Sequence, residues 1–215
     1  MEPQPPAGSS AWEGHDPDDG AIYTRICPLA IAGAGATGGL MGPPETFWSA
    51  APPVATVDPA QLAQQALDKM TLLGPDIVSP DPVGKYIVGL PIWMWATKSQ
   101  TTYGPNTASA SAGGVTVTAT ATVSKIVWKM GDGSAVTCNG PGTPYSASYG
   151  KQESPTCGHT YSLTSASQDD GKYTVTATST WSVDWQVDGG DETGQLTAIR
   201  QSQERVAIGE LQVVR

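Results

Sequence analysis

The sequence predicts an all-β sandwich preceded by one short helix and an extended N-terminal arm. Three observations predict it. Long stretches alternate apolar and polar residues with period two, and β-branched Thr and Val fill them. Gly (25) and Pro (18) punctuate the 215 residues too often for long helices. Charged residues are only 14%, so Thr and Ser take the polar positions that Lys and Glu usually hold.

Residues 1–56 are read as the arm. Pro3, Pro5, Pro6, Pro17, Pro28, Pro43, Pro44, Pro52 and Pro53 exclude a sustained helix or a central strand. The acidic run His15–Asp19 adds polarity. Trp12, Tyr23, Ile26, Phe47 and Trp48 are anchors that a plain linker lacks, so the arm is expected to pack on this domain or on a neighbouring subunit. Ala21–Cys27 is read as a short strand, and the Gly-rich apolar run Leu29–Met41 as loop.

Residues 57–82 are read as helix and linker. Asp58 is a good N-cap, Pro59 suits the first helical position, and Gln61 completes a D-x-x-Q capping box. Leu62, Ala66, Met70 and Leu73 recur at helical spacing, and Gly74-Pro75 stops the helix. The expected span is Pro59–Leu73.

Residues 83–215 are read as the sandwich. Ile87–Thr97 is dense in β formers, with Pro91 marking an edge or a bulge. Trp93 and Trp95, two apart, share a face. Val115, Val117, Ala119, Ala121 and Val123 alternate with threonines, which gives one buried and one wet face. Lys125–Met130 and Ser134–Cys138 are expected as the next strands. Tyr173–Val187 keeps period two for so long that a bend or split is expected. Arg205–Val214 is read as the last strand. Six or more strands without intervening helices make a sandwich.

Charge excludes several roles. The net charge is −9, and the 11 basic residues are scattered, so neither nucleic acid nor an anionic membrane surface is expected as a partner. No apolar run is long enough to span a membrane. The start, MEPQPPAGSS, has no signal-peptide pattern. If the protein is exported, the expectation is that its leader has been removed or that Met1 is not the native start.

Of three cysteines, Cys138 and Cys157 bracket a Gly/Pro/Ser-rich stretch. They read as a structural disulfide formed in an oxidising compartment, or else as two buried thiols. A bond there would stabilise the fold by roughly 3 kcal/mol. Cys27 is left over. No CxxC spacing suggests zinc. Asp132 with Asp169 and Asp170, or Asp188–Glu192, could hold calcium, but without D-x-D-x-D-G spacing they read as solvated turns. Neither metal nor cofactor is expected.

Trp128 leads into Gly131-Asp132-Gly133, a turn that glycine's conformational freedom and the Asp side chain both favour. His159-Thr160-Tyr161 follows, then Gly171-Lys172-Tyr173-Thr174-Val175. This ordered set resembles the PKD (polycystic kidney disease) domain family over roughly 105–187. Met130 stands where the family usually has Phe, and the cysteine-bounded loop is longer than usual. The resemblance implies an immunoglobulin-like sandwich in which His159 and Tyr161 are structural. The chain also resembles a group of secreted actinobacterial proteins sharing Gly89–Trp95, Trp128–Gly133, Cys138–Tyr145, Ser154–Tyr161 and Trp181–Trp185. That resemblance implies a secreted or cell-surface setting, and no activity.

No catalytic site is expected. The two histidines, His15 and His159, sit in no nucleophile elbow. Trp128 and Trp181 are expected in the core. Trp93, Trp95 and Trp185 are left open between the core and an exposed platform for a sugar or a protein. The expected function is a non-enzymatic extracellular interaction or structural module. A protein is the expected partner, or else another copy reached through the arm to form a filament or ring. The alternative is carbohydrate binding through the Trp pairs.

Overall fold

The computed structural model describes residues 3–26, 42–52 and 57–211. Cys27 and the loop predicted at Leu29–Met41 lie outside the described residues. The chain divides into two compact units, Met1–Thr56 and Val57–Arg215.

The first unit is more organised than an extended arm. A 3-10 turn, Ser10–Trp12, precedes strand β1 (Ala21–Arg25), which pairs antiparallel with β2 (Glu45–Ser49). Trp12 and Ile22 are buried. The Trp12 indole N–H donates to the carbonyls of Pro5 and Pro6, and the Gln4 side chain accepts from Ile22 N–H and donates to Ile22 C=O. His15 stacks on Trp48 at 3.7 Å. Strand β1 falls within the short strand expected over Ala21–Cys27, and local hydrogen bonds fold the proline-rich segment around it.

The second unit begins with helix α1 (Pro59–Asp68), capped as expected by Asp58, whose Oδ1 accepts from Ala60 N–H at 2.9 Å. The helix stops well short of Leu73. Leu73 instead donates its N–H to Thr101 C=O and accepts from the Trp181 indole, while Leu72 C=O accepts from Arg200. Tertiary partners replace the helical ones.

Next come β3 (Asp76–Ser79), β4 (Tyr86–Ile87), β5 (Pro91–Trp93) and β6 (Trp95–Thr97). The single strand expected over Ile87–Thr97 is therefore three short ones. β7 (Asn106–Ala112) turns through Gly113-Gly114 into β8 (Val115–Lys129), followed by β9 (Ala135–Cys138) and β10 (Gly158–Thr160). β11 (Tyr173–Val187), β12 (Thr193–Val206) and β13 (Ile208–Gly209) complete the unit. The run Arg205–Val214 is not one strand: most of β12 lies before it.

A five-stranded antiparallel sheet runs β12-β11-β8-β7, with β9 also on β8. β11 is unbroken, and the irregularity predicted in it sits in β8. Ser124 is an extra residue there: Lys125 pairs with Thr180 and Val123 with Trp181. The Ser124 hydroxyl donates to Thr180 C=O. This bulge shifts the inward positions from Val117, Ala119, Ala121 and Val123 to Ile126 and Trp128, all buried. It also joins the two strands expected over 115–130 into one.

The inner face packs against α1 through Leu62, Ala63 and Ala66, and shares one core with Ile92, Met94 and Ala96. The small pairs β3–β6, β5–β10 and β4–β13 supply the opposing layer. The result is a mostly β, sandwich-like arrangement. On the outer face, hydroxyls pair across the β7–β8 ladder, at 3.1 Å (Thr107–Thr120), 2.9 Å (Ser109–Thr118) and 2.8 Å (Ser111–Thr116). Among the described residues no helix is long and apolar enough to cross a membrane.

Candidate functional site

The residues of the Trp/GDG/HTY pattern meet at one end of the sheet. Trp128 is wholly buried beside Met130. The chain then turns at Gly131, whose φ of +84° and contact with the Thr174 backbone both exclude a side chain. Asp132 Oδ1 accepts from the Ser134 N–H (2.9 Å) and hydroxyl (2.6 Å), and Asp132 Oδ2 lies 2.8 Å from His159 Nε2. Tyr161 donates to Met130 C=O at 2.8 Å, and its ring stacks on Tyr173. The turn between Gly131 and Gly133 is thereby tied to β10 and to the start of β11.

Ser134, His159 and Asp132 invite comparison with a catalytic triad, but the geometry differs. A triad needs the carboxylate on one ring nitrogen and the hydroxyl on the other. Here both oxygens meet Nε2, the serine at 3.5 Å. The serine hydroxyl also donates to the carboxylate. The cluster serves as a knot between turn and strand. Partial burial pushes the Asp132 carboxyl up, but the hydrogen bonds from the Ser134 hydroxyl, the Ser134 N–H and His159 outweigh it and hold its pKa below the usual carboxylate value. Burial, with the Asp132 charge second, raises the Tyr161 pKa well above its ordinary value, so its proton stays in the bond to Met130.

The other acidic turns are engaged. Asp170 pairs with Arg205 at 2.8 Å, and Asp188 accepts from Thr118.

The tryptophan pairs form no exposed platform. Trp181 is 0% and Trp185 8% exposed, both on the inner face of β11. Trp93 is 3% exposed, its indole N–H donating to Gln152 C=O at 2.8 Å. Trp95 is half-buried. Period two correctly puts Trp181 and Trp185 on one face, and the core claims that face.

Trp93 and Trp95 nevertheless line a cleft of about 270 Å³. Leu90, Pro91 and Ile92 contribute apolar surface, Tyr86 and Tyr145 rings, and Lys85 and Lys151 the charge. Tyr145 meets Trp93 edge-on at 5.5 Å, and Tyr149 packs on it at 4.6 Å. Both tyrosines are substantially exposed.

The wall carrying them is the cysteine-bounded loop. Cys138 and Cys157 form a disulfide, Cα–Cα 5.7 Å. The backbone then clamps that loop to the short strands. Met94 N–H donates to Cys157 C=O at 2.9 Å and Ala96 N–H to Pro141 C=O at 2.8 Å. Gly142, at φ +87°, lies so close to Met94 that a Cβ there would run into the Met94 carbonyl. Tyr145 is fixed by its hydroxyl, which donates to Gly150 C=O at 3.0 Å.

No family model, curated protein or solved structure matches this chain.

Lys85, Tyr145, Tyr149 and Lys151 escape the pattern reading because they lie in irregular segments without periodicity. One signal was present: two tyrosines inside a cysteine-bounded loop otherwise made of small and polar residues. Rings in such a loop pack on something.

Proposed function

We propose that this chain is a non-enzymatic interaction or structural module of the cell exterior, built on an immunoglobulin-like sandwich of PKD type. It binds its partner in the cleft between the short strands and the disulfide-closed loop. The observation that carries this reading is the bracing of that loop. A disulfide, two backbone hydrogen bonds and the Gly142 contact hold Tyr145 and Lys151 against Trp93 and Trp95. Pre-organised rings lose little freedom on binding. The disulfide supports an oxidising compartment. The meeting of Trp128, Asp132, His159, Tyr161 and Tyr173 at one end of the sheet supports the PKD-type assignment.

The test is Gly142→Ala in exported protein, with binding to cell-envelope material as readout. The substitution is expected to displace the loop and abolish binding while both cysteines stay oxidised. Binding unchanged by Gly142→Ala and by Tyr145→Ala refutes the cleft as the contact surface.

Self-assembly through the first unit is a second reading. Tyr23 and Phe47 are partly exposed on one face of the β1–β2 pair, with Arg25 over the Phe47 ring. Aromatic and arginine side chains of this kind anchor interfaces. Light scattering is expected to show mass rising with concentration and falling back with Phe47→Ala. A constant monomer mass removes this reading.

A further inference from the structure

We infer that the cleft is a site for an anionic sugar, a uronic-acid residue of an acidic polysaccharide. This rests on reading the cleft as the binding surface, and adds the ligand.

Charge is the first argument. The chain carries 20 Asp and Glu against 11 Lys and Arg. The cleft reverses that balance, with Lys85 and Lys151 on its rim and no carboxylate among its lining residues. Both lysines are exposed, and neither has an ion-pair partner among the described residues. Two unpaired ammonium groups in an acidic protein select a carboxylate ligand and repel none of it.

Shape and wall chemistry come next. A volume of about 270 Å³ lies just under the range of drug-sized pockets and suits a single ring. Tyr145 and Trp95 provide ring surface for the C–H faces of a pyranose.

The backbone argues against an extended peptide. A peptide adding itself as a strand needs unpaired main-chain groups. Beside the cleft several of these are already used. Gly89 N–H donates to Tyr161 C=O, Met94 N–H to Cys157 C=O and Ala96 N–H to Pro141 C=O, while Trp93 C=O accepts from the Ser79 hydroxyl at 2.6 Å. What the cleft offers is side chains: rings and ammonium groups.

The experiment titrates the intact, disulfide-bonded chain with oligogalacturonate, a neutral cello-oligosaccharide and an oligoglutamate peptide, following tryptophan fluorescence and heat. Oligogalacturonate is expected to bind and to perturb the fluorescence. Lys85→Gln and Lys151→Gln should each weaken binding about fivefold, the range of a solvent-exposed charge contact. Tyr145→Ala should weaken it about tenfold. All three positions are exposed, so the fold should survive, as circular dichroism will show. Equal binding of the neutral sugar overturns the role of charge. Equal binding of oligoglutamate overturns the sugar. Absence of saturation by oligogalacturonate at millimolar concentration overturns the proposal outright. If envelope binding then still depends on Gly142 and Tyr145, the cleft remains the contact surface for another ligand. If that dependence is lost too, both readings fall.

Discussion

The five-stranded sheet and the layer of short strands facing it are held by different means. The sheet is held by repetition: β8 and β11 each run 15 residues, and each inward side chain repeats its neighbour's contribution. No single hydrogen bond matters much there. The facing layer has strands of two to four residues, too short to stand as sheets. It is held by a few particular contacts: one disulfide, the Gly142 approach and the clamps from Met94 and Ala96. The sheet therefore sets stability, and the facing layer sets the shape of the cleft.

That contrast can be broken from both sides. Trp181→Ala should have the largest effect on folding, about 3–5 kcal/mol by denaturant titration, because it empties a wholly buried ring site and strands the Leu73 carbonyl. Sheet and facing layer should unfold together. Cys138→Ser with Cys157→Ser should cost about 3 kcal/mol, and it should uncouple the two regions. The far-ultraviolet signal of the sheet should persist while the fluorescence around Trp93 and the binding capacity of the cleft are lost. A double variant that binds normally would show that the backbone clamps suffice.

Asp132→Asn should cost about 1–2 kcal/mol at neutral pH through weakened hydrogen bonds to Ser134 and His159. The Asp132 carboxyl is held below its ordinary value in the folded chain, so its contribution is fully present above that ordinary value. It is lost as pH falls through the lower folded value. Stability curves of variant and wild type should converge in acid, and a gap that stays constant through the whole acid range would assign the cost to packing instead. Ser109→Ala, which removes one of three outer-face hydroxyl pairs, should change stability by no more than about 0.5 kcal/mol.

The same contrast explains what the sequence could disclose. Strand β11 and the buried positions of β8 are legible because period two repeats over many residues. The capping of α1 by Asp58 is legible because it is local. β7 carried a fainter signal: Asn106, Ala108 and Ala110 alternate with Thr107, Ser109 and Ser111, but Ala and Ser differ too little in hydropathy to stand out. The end of α1 depends on Thr101, Trp181 and Arg200, distant in sequence, and could not be read locally. The cleft was the least legible part. Its walls are strands of two to four residues and a disulfide-closed loop, all too short for a repeating pattern, and no periodicity marks Lys85 or Lys151. The tryptophan pairs were visible, but alternation says only which residues share a face, not whether that face meets water.

The extra serine at position 124 gives the long strand a phase. Upstream, odd-numbered residues point inward; downstream, even-numbered ones do. Were Ser124 drawn into the ladder as an ordinary rung, Ile126 and Trp128 would face solvent, and Lys125, Val127 and Lys129 would enter the core. Deleting it instead leaves Lys125 directly after Val123, opposite Thr180, and keeps Ile126 and Trp128 inward. The outward kink is therefore what lets the chain carry one residue too many without losing its core.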